Sequence, residues 1–171
     1  MENELLLLLG KGVFNNILLE EYDFKNPKEI TAPFEASYTM KAQKHVDNVL
    51  DIYFLTVPYM TGIETHTSIL TEKRYNTLNL YEVTKIEPTV QEVYINFPKG
   101  MKLYKLPEKI KVSSVWGEYE VTFERTKTGV KVTKFQKFNV AEVPVEKYHE
   151  FKDFYLSLLE YDKTKIVFVT K

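Results

Sequence analysis

The chain has 171 residues, enough for a sizeable hydrophobic core, and its 44% hydrophobic and 27% charged residues are ordinary for a globular protein. A net charge of −1 gives no overall field that would recruit nucleic acid or an anionic membrane surface. The absence of cysteine excludes disulfides, thiolate metal sites and cysteine nucleophiles, and the aromatic content of 14% favours strands over helices.

The chain opens with MENELLLLLG, in which Leu5 to Leu9 follow two glutamates. A secretory signal needs a basic region and a longer apolar run, and a membrane helix needs about 20 apolar residues. We therefore expect no membrane span and no targeting signal here. The segment is interpreted as a short buried strand or the last turn of a helix, at a cut domain boundary.

Strand patterns dominate the first third of the chain. Residues 34–43 alternate between apolar and polar side chains, which predicts a half-buried antiparallel strand. Residues 13–24 form a plausible strand before it. Residues 44–48 supply turn-forming side chains, and the nearly continuous apolar run 49–57 predicts a strand covered on both faces.

The middle of the chain continues this pattern. Residues 78–86 and 90–97 are predicted as strands separated by a break at Pro88. Residues 112–123 are predicted as two short strands split at Trp116 and Gly117. The second of them turns three side chains inward: Tyr119, Val121 and Phe123.

Gly129 is predicted to close the next hairpin with a positive φ. The apolar phase of the following strand, residues 130–140, slips between Lys134 and Phe135. A bulge or a bend at a sheet edge is the predicted cause of that slip.

One segment has a helical period. Over residues 145–160, with Pro144 at the start, apolar residues recur at three- and four-residue spacing, namely Tyr148, Phe151, Tyr155, Leu158 and Leu159. Residues 165–169 predict a final strand. The predicted fold class is all-β: an antiparallel β-sandwich with Ig-like or fibronectin-like layers and one C-terminal α-helix. Residues 1–171 are interpreted as a single β-rich domain, with two lobes, 1–87 and 88–171, as the alternative.

The second half of the chain carries a recognisable order of segments. It contains FPKGMKLYKLPEKIKVSSVWGEYEVTFE, then the Gly129 hairpin, then PVEKYHEFKDF and YDKTKIVFV. In order and spacing, these segments resemble the C-terminal domain of bacterial transglutaminase-like proteins, a family common in Bacteroidetes whose C-terminal region is a domain of unknown function. The upstream segment EKRYNTLNL is similar to the one that precedes this domain in that family, so the resemblance covers roughly residues 66–171.

The resemblance implies that a transglutaminase-like core, absent from this chain, precedes the domain in its parent protein. Any catalysis would use a Cys–His–Asp arrangement in that core, so the resemblance implies a non-enzymatic domain located in the periplasm or cell envelope. The residues that carry the resemblance are expected to have structural roles in turns, in hairpins and in helix packing: Trp116, Gly117, Tyr119, Pro144, Tyr148 and Phe151.

Reactive constellations are scarce in the sequence. No Gly-rich phosphate loop or Gly-x-Ser-x-Gly motif occurs, so no cofactor and no catalytic residue are predicted. The three histidines lack metal-ligand spacing, so no metal site is predicted; they are His45, His66 and His149. Two groups of carboxylates could act as general acid and base, although a solvated strand face explains them better: Glu20, Glu21 and Asp23, and Asp47 with Asp51.

Residues 99–137 hold ten Lys and Arg against four Glu. Interleaved aromatic side chains such as Phe135 would suit a glycan or another anionic polymer. The competing interpretations are a charged sheet edge that prevents aggregation and a tryptophan that caps the core. The predicted binding surface consists of Lys102, Tyr104, Lys105, Trp116 and Lys131.

Two main hypotheses follow. The first is a non-catalytic accessory domain that docks onto the upstream domains of its parent and leaves an apolar patch exposed, including part of Leu5 to Leu9. The second is an independent module that binds glycans or other cell-surface polymers. A hydrolase built on the carboxylates ranks below both.

Overall fold

The computed structural model describes residues 17–25, 35–42, 46–59 and 62–170. The chain forms two compact units, Met1–His45 and Val46–Lys171. The Leu5 to Leu9 segment and His45 lie outside the described residues. The described part of the first unit consists of residues 17–25 and 35–42, and the other described residues belong to the second unit.

The first unit contains an antiparallel pair, β1 (Ile17–Lys25) and β2 (Glu35–Ala42). Tyr22 pairs with Tyr38 in its register, and an irregularity between Leu19 and Glu21 interrupts the ladder. The predicted alternating strand over residues 34–43 is therefore present as β2.

The second unit contains two four-stranded antiparallel sheets. Sheet I has the order β6–β10–β9–β8. Its strands are β6 (Thr89–Asn96), β8 (Ile110–Ser113), β9 (Gly117–Arg125) and β10 (Gly129–Phe138). Sheet II has the order β3–β4–β12–β7. Its strands are β3 (Val46–Val49), β4 (Ile52–Thr56), β7 (Met101–Lys105) and β12 (Lys165–Thr170).

Two short strands, β5 (Leu78–Asn79) and β11 (Glu142–Val143), form a separate antiparallel pair. Helix α1 (Thr67–Leu70) follows His66, whose Nδ1 accepts the Ser68 N–H at 3.3 Å. Helix α2 (Tyr148–Asp162) follows a 3₁₀ turn at Val145–Lys147. Neither helix has the length and apolar character needed to cross a bilayer, among the residues described.

One hydrophobic core joins these elements. Sheet I contributes Tyr119, Val121, Val130 and Val132, and sheet II contributes Leu103 and Ile166. Helix α2 buries one face, consisting of Tyr148, Phe151, Phe154, Tyr155, Leu158 and Leu159. The predicted class, antiparallel β with one C-terminal helix, is confirmed, and two sheets sharing a core are compatible with a sandwich.

The helix and most strands occur where the sequence predicts them. The predicted helix 145–160 corresponds to α2 with its preceding turn, and the predicted strands 90–97 and 165–169 correspond to β6 and β12. Strand pairing also links segments on both sides of Glu87 and Pro88, because β4 pairs with β12 and β5 with β11. The first compact unit ends at His45 and the second begins at Val46.

The region around residue 50 differs from its prediction. Residues 46–48, predicted as a turn, form β3, and the hairpin turns at Leu50, whose φ is 54°. Strand β4 is not covered on both faces, because Ile52 is exposed and residues 53–56 are half-buried. The apolar run 49–57 is continuous because the solvent-facing side of β4 also carries apolar side chains.

Two other segments also differ. Only Leu78 and Asn79 of the predicted strand 78–86 are extended, and Leu80–Glu82 forms a 3₁₀ turn capped by the Asn79 side chain. Met101–Lys105, which is not among the predicted strands, forms strand β7. An edge strand tolerates exposed lysines because one of its sides and one of its faces meet solvent.

The predictions for the β9–β10 hairpin are corrected at two positions. Gly129 does not have a positive φ; among the described glycines, Gly100 does, at 87°. The ladders of β10 with β6 and β9 run without a bulge, and β10 lies inside sheet I rather than at its edge. The apparent phase slip arises because Lys134 and Gln136 themselves face inward, in register with Val130, Val132 and Phe138.

Candidate functional site

A buried ion pair lies at the centre of the second unit. Lys134 is 1% exposed, and its Nζ lies 2.6 Å and 2.7 Å from Oδ1 and Oδ2 of Asp162. Strand β10 supplies the lysine from an inward position, and α2 supplies the aspartate at its last residue. A charged group is rarely placed in a protein core unless a partner of opposite charge accompanies it.

Two further donors complete the environment of the carboxylate. The Tyr119 hydroxyl donates to Oδ1 at 2.6 Å, and the Ile63 N–H donates to Oδ2 at 2.5 Å. The Lys134 ammonium also lies 4.5 Å from the centroid of the Tyr59 ring, within cation–π range. The ion pair thus joins strand β9, strand β10, helix α2 and the segment that follows Tyr59.

Burial is the main cause of the pKa shifts in this cluster. It lowers the pKa of Lys134, and the nearby Asp162 carboxylate opposes that change. It raises the pKa values of Tyr59 and Tyr119, and the same carboxylate raises them further. Burial also raises the pKa of Tyr155 to about 12. These phenols therefore stay protonated in the folded protein under conditions that ionise free tyrosine.

The raised tyrosine pKa values predict alkaline unfolding. Because the folded protein holds these phenolic protons more tightly than the unfolded chain, their stabilisation is complete below about pH 10 and is lost as the pH rises further. Lys134 has the opposite sign, and its contribution is complete only about one pH unit above the ordinary lysine pKa of 10.5, so it offsets part of this loss. We expect each buried tyrosine to lower stability by about 1 kcal/mol over the first pH unit above about 10.

Urea unfolding at a series of alkaline pH values measures this loss. Tyr155→Phe should reduce the slope of stability against pH, whatever its effect on absolute stability, because it removes one of the shifted groups. Equal slopes for Tyr155→Phe and the wild type above pH 10 would contradict the assignment.

A cavity of about 310 Å³ adjoins this cluster. One wall is the segment Gly62 to Glu64, held by two contacts from α2: Asp162 accepts the Ile63 N–H, and the Tyr155 hydroxyl donates to the Glu64 carbonyl at 2.9 Å. The remaining lining comes from residues 81–85, Thr89 and Gln136. The buried ion pair therefore fixes part of the cavity wall.

The outer face of sheet I carries paired charges beside two exposed apolar side chains, Val90 and Tyr94. The Lys131 ammonium lies 2.5 Å from a Glu92 carboxylate oxygen. The Glu120 carboxylate forms ion pairs with the ammonium groups of Lys109 and Lys111, at 2.7 Å and 3.7 Å. These pairs lower the pKa values of Glu92 and Glu120. Alternating charges of this kind are typical of a solvated sheet face.

The outer face of sheet II has a different composition. Its register places apolar side chains opposite one another across the strands, because Ile52 pairs with both Val49 and Val169, and Phe54 pairs with Val167. We call this surface the outer apolar face; it consists of Val49, Ile52, Phe54, Tyr104, Val167 and Val169. Val49 is 62% exposed and Tyr104 67% exposed. Such a continuous apolar surface is unusual on a sheet that faces water.

Three lysines lie on this face, two on β7 and one at the start of β12. Lys102 lies opposite Val169 and Lys105 opposite Val167, both on edge strand β7. Lys165 bonds Asp47 at 3.2 Å, and its ammonium lies 5.9 Å from the Phe54 ring. Three of the five predicted binding residues, Lys102, Tyr104 and Lys105, are thus together on β7.

The structure places the other two predicted residues elsewhere. Trp116 lies in the turn between β8 and β9, is 9% exposed, and packs edge-on against Phe151 with ring centroids 5.7 Å apart. Its ring caps the core next to α2 and is not presented to solvent as a stacking platform. Lys131 belongs to the charge-paired face of sheet I and bonds Glu92.

The remaining candidates are dispersed. His66 caps α1, and His149 is exposed on α2. Glu21 and Asp23 line an open hollow beside Ser37 and Thr39 in the first unit, while Asp47 belongs to β3 in the second. The described residues contain no group of three His, Cys, Asp or Glu side chains close enough to hold a metal ion.

One protein family matches most of the chain. The family model of DUF3858, a domain of unknown function with a solved structure, matches residues 51–168, which is more than half of the chain. The chain belongs to the DUF3858 family. No curated protein and no solved structure gave a significant match.

The DUF3858 match contains the whole Lys134–Asp162 cluster, the cavity and most of the outer apolar face, and it begins within the β3–β4 turn. Sequence reasoning missed the cluster. Its signal was an alternation that continues through Lys134 and Gln136 once both are assigned to the inner face of β10.

Proposed function

We propose that this DUF3858 domain is a non-catalytic accessory domain that docks, through the outer apolar face of sheet II, onto another folded domain of its parent protein. The contrast between the two outer sheet faces carries the proposal. On sheet I the strongly exposed apolar side chains, Val90 and Tyr94, belong to one strand beside charge pairs, whereas sheet II presents apolar side chains across all four strands. Apolar area of this kind is stabilised when a second surface covers it, at roughly 25 cal/mol per Å².

The lysines around the face indicate the chemistry of the partner. Within the described residues, Lys102 and Lys105 have no ion-pair partner, so a surface with acidic residues around an apolar centre would complement them. On the resemblance to transglutaminase-like proteins, the proposed partner is their transglutaminase-like core, and the proposed location is the periplasm or cell envelope. The buried Lys134 and Asp162 bond each other and thereby support a structural rather than catalytic role for this domain.

Calorimetry with the upstream region of the parent protein tests the docking. The double variant Val49→Lys/Ile52→Lys places two charges on the outer apolar face and should weaken association at least about tenfold, or 1.4 kcal/mol. Val90→Lys/Tyr94→Lys is the control, because it places two charges at exposed apolar positions, 66% and 62% exposed, on the outer face of sheet I. The control should bind like the wild type.

Two results would argue against docking: no heat of association for the wild type, or equal weakening by both double variants. A second candidate function, glycan binding, is favoured by the exposed Tyr104 ring between Lys102 and Lys105 on β7. Titration of a glycan panel separates the two, since saturable binding lost in Tyr104→Ala, without association to the upstream region, would support the glycan module instead.

A further inference from the structure

We propose that a cleft in the second unit binds a phosphate or sulfate group. The cleft has a volume of about 170 Å³ and lies between the start of β7 and the hairpin that joins β9 to β10. Three cations line it, Lys102, Arg125 and Lys127, and among the residues that the structure describes no carboxylate does so. We call it the basic cleft. A cleft lined by charges of one sign attracts ions of the other sign.

The position of Arg125 carries the inference. Arg125 pairs with the buried Val130 across the β9–β10 ladder, so it continues the inward-facing alternation of β9 at the end of that strand. The inward-facing Lys134 on β10 has Asp162 as its partner. Arg125, in contrast, forms no side-chain hydrogen bond or ion pair within the described part of the chain. Its guanidinium is therefore available to a bound oxyanion.

The floor of the cleft is apolar. Phe97 and Leu103 line it; Leu103 is 8% exposed, and Phe97 stacks on Phe168 with ring centroids 5.1 Å apart. An apolar wall lowers the local dielectric constant and thereby strengthens the attraction between an anion and the three cations. The basic cleft differs in this respect from lysines on an open sheet face, whose charges water screens from all sides.

Hydrogen bonds hold the hairpin side of the cleft in place. The Thr128 hydroxyl donates to Oδ1 of Asn96 at 2.5 Å, and the Phe97 N–H donates to the Thr128 carbonyl at 2.9 Å. Oγ1 of Thr126 accepts the Gly129 N–H at 2.9 Å, so its own O–H can donate to a bound anion. These bonds fix the wall before a ligand arrives, which lowers the cost of binding.

Charge and size select the ligand. Three cations favour a dianion over a single carboxylate, and a phosphate ester carries a charge of about −1.5 to −2 near pH 7. The volume of about 170 Å³ is below the roughly 300–1,000 Å³ of pockets that enclose whole small molecules, so the cleft accommodates the anionic group and leaves the rest of a larger ligand outside. This site goes beyond the proposed docking function and does not depend on it.

Titration of the isotope-labelled chain with inorganic phosphate at constant ionic strength, followed by amide chemical shifts, tests the inference. Saturable shifts are expected at Thr126, Lys127 and Thr128, with a Kd on the order of 1 mM. The described lining contains no histidine or carboxylate, so a change of affinity between about pH 5.5 and about pH 7.5 reports the charge of the ligand. Phosphate should bind several-fold more tightly at the higher pH, and sulfate equally at both. Tighter binding of glycerol phosphate than of inorganic phosphate would identify a phosphate carried on a larger molecule, and the reverse order would identify the free ion.

Two double variants separate the basic cleft from net charge. Arg125→Gln/Lys127→Gln should weaken phosphate binding at least about tenfold. Lys147→Gln/Lys163→Gln removes the same charge at exposed positions beside α2 and should bind like the wild type. All four side chains are exposed, so both variants should fold, and neither changes the outer apolar face.

Three results would overturn the proposal. The first is an absence of saturable shifts at the basic cleft with phosphate, sulfate and glycerol phosphate. The second is equal weakening by the two double variants, which would reduce the effect to net charge. The third is binding of acetate as tightly as phosphate at about pH 7.5, which would assign the cleft to a carboxylate such as an acidic side chain of a docking partner.

Discussion

Asp162→Ala is expected to destabilise the second unit by roughly 3–5 kcal/mol, the usual cost of removing one member of a buried ion pair. Lys134 would remain in the core and would lose both bonds that its ammonium makes to Asp162. The Tyr119 hydroxyl and the Ile63 N–H would lose their acceptor in the same step. A loss of this size is a large fraction of the stability of an ordinary domain, which is about 5–15 kcal/mol.

Urea unfolding followed by tryptophan fluorescence measures this effect directly. The chain has one tryptophan, Trp116, and its packing against Phe151 makes its emission sensitive to the separation of α2 from sheet I. Asp162→Ala should shift the unfolding midpoint to lower urea concentration without abolishing the cooperative transition.

Two further variants separate the buried pair from general effects of charge. The double variant Lys134→Met/Asp162→Leu should recover most of the lost stability, because apolar residues of similar volume replace a buried ion pair at little cost or with a gain. Glu160→Ala removes a neighbouring surface pair, Lys163–Glu160, and should cost less than about 1 kcal/mol. A cost for Asp162→Ala no larger than that of Glu160→Ala would show that the pair is not desolvated.

The helix and the sheet strands could be predicted because their signals are local. Residues 145–160 show a helical period that α2 buries, and β9 alternates with Tyr119, Val121 and Phe123 inside, as predicted. Each signal needs only the side chains of its own segment, since the core face of an element repeats at the period of its backbone.

The buried cluster could not be predicted in this way. Lys134 finds its carboxylate 28 residues further along the chain, and no local pattern indicates that partner. A lysine within an alternating apolar segment is normally assigned to the solvent-facing side, and for this reason a bulge or bend was predicted in the regular strand β10. Strand β7 was not predicted either, because its lysines, Lys102 and Lys105, belong to an exposed sheet face.

The five predicted binding residues form two groups, one set by sequence proximity and one by tertiary packing. Lys102, Tyr104 and Lys105 are neighbours in sequence and share one strand, so their proximity was guaranteed once β7 formed. The environment of Trp116 depends on the packing of sheet I against α2, where its ring contacts Phe151. The environment of Lys131 depends on its cross-strand partner, Glu92, to which it is bonded. Residue type alone does not distinguish a tryptophan that caps a core from one that binds a ligand.

Gly129→Ala is expected to destabilise the second unit by about 3 kcal/mol, the upper end of the usual cost of overpacking. The first residue of β10 approaches the β6 backbone so closely that an added Cβ would collide with the Ile95 carbonyl oxygen, and no flexible side chain can yield there. The predicted need for glycine at this hairpin was therefore right in position, but close approach rather than a positive φ causes it.

Gly100→Ala provides the matched comparison for Gly129→Ala. Gly100 has a φ of 87°, and an added Cβ there meets no atom within 4 Å, so its substitution costs only backbone strain, about 1–2 kcal/mol. Urea unfolding of both variants should rank Gly129→Ala as the more damaging, with the β6–β10 ladder losing amide protection first. If Gly100→Ala costs as much or more, the β6 backbone near Ile95 gives way easily, and the tight β6–β10 pairing does not contribute the stability assigned to it.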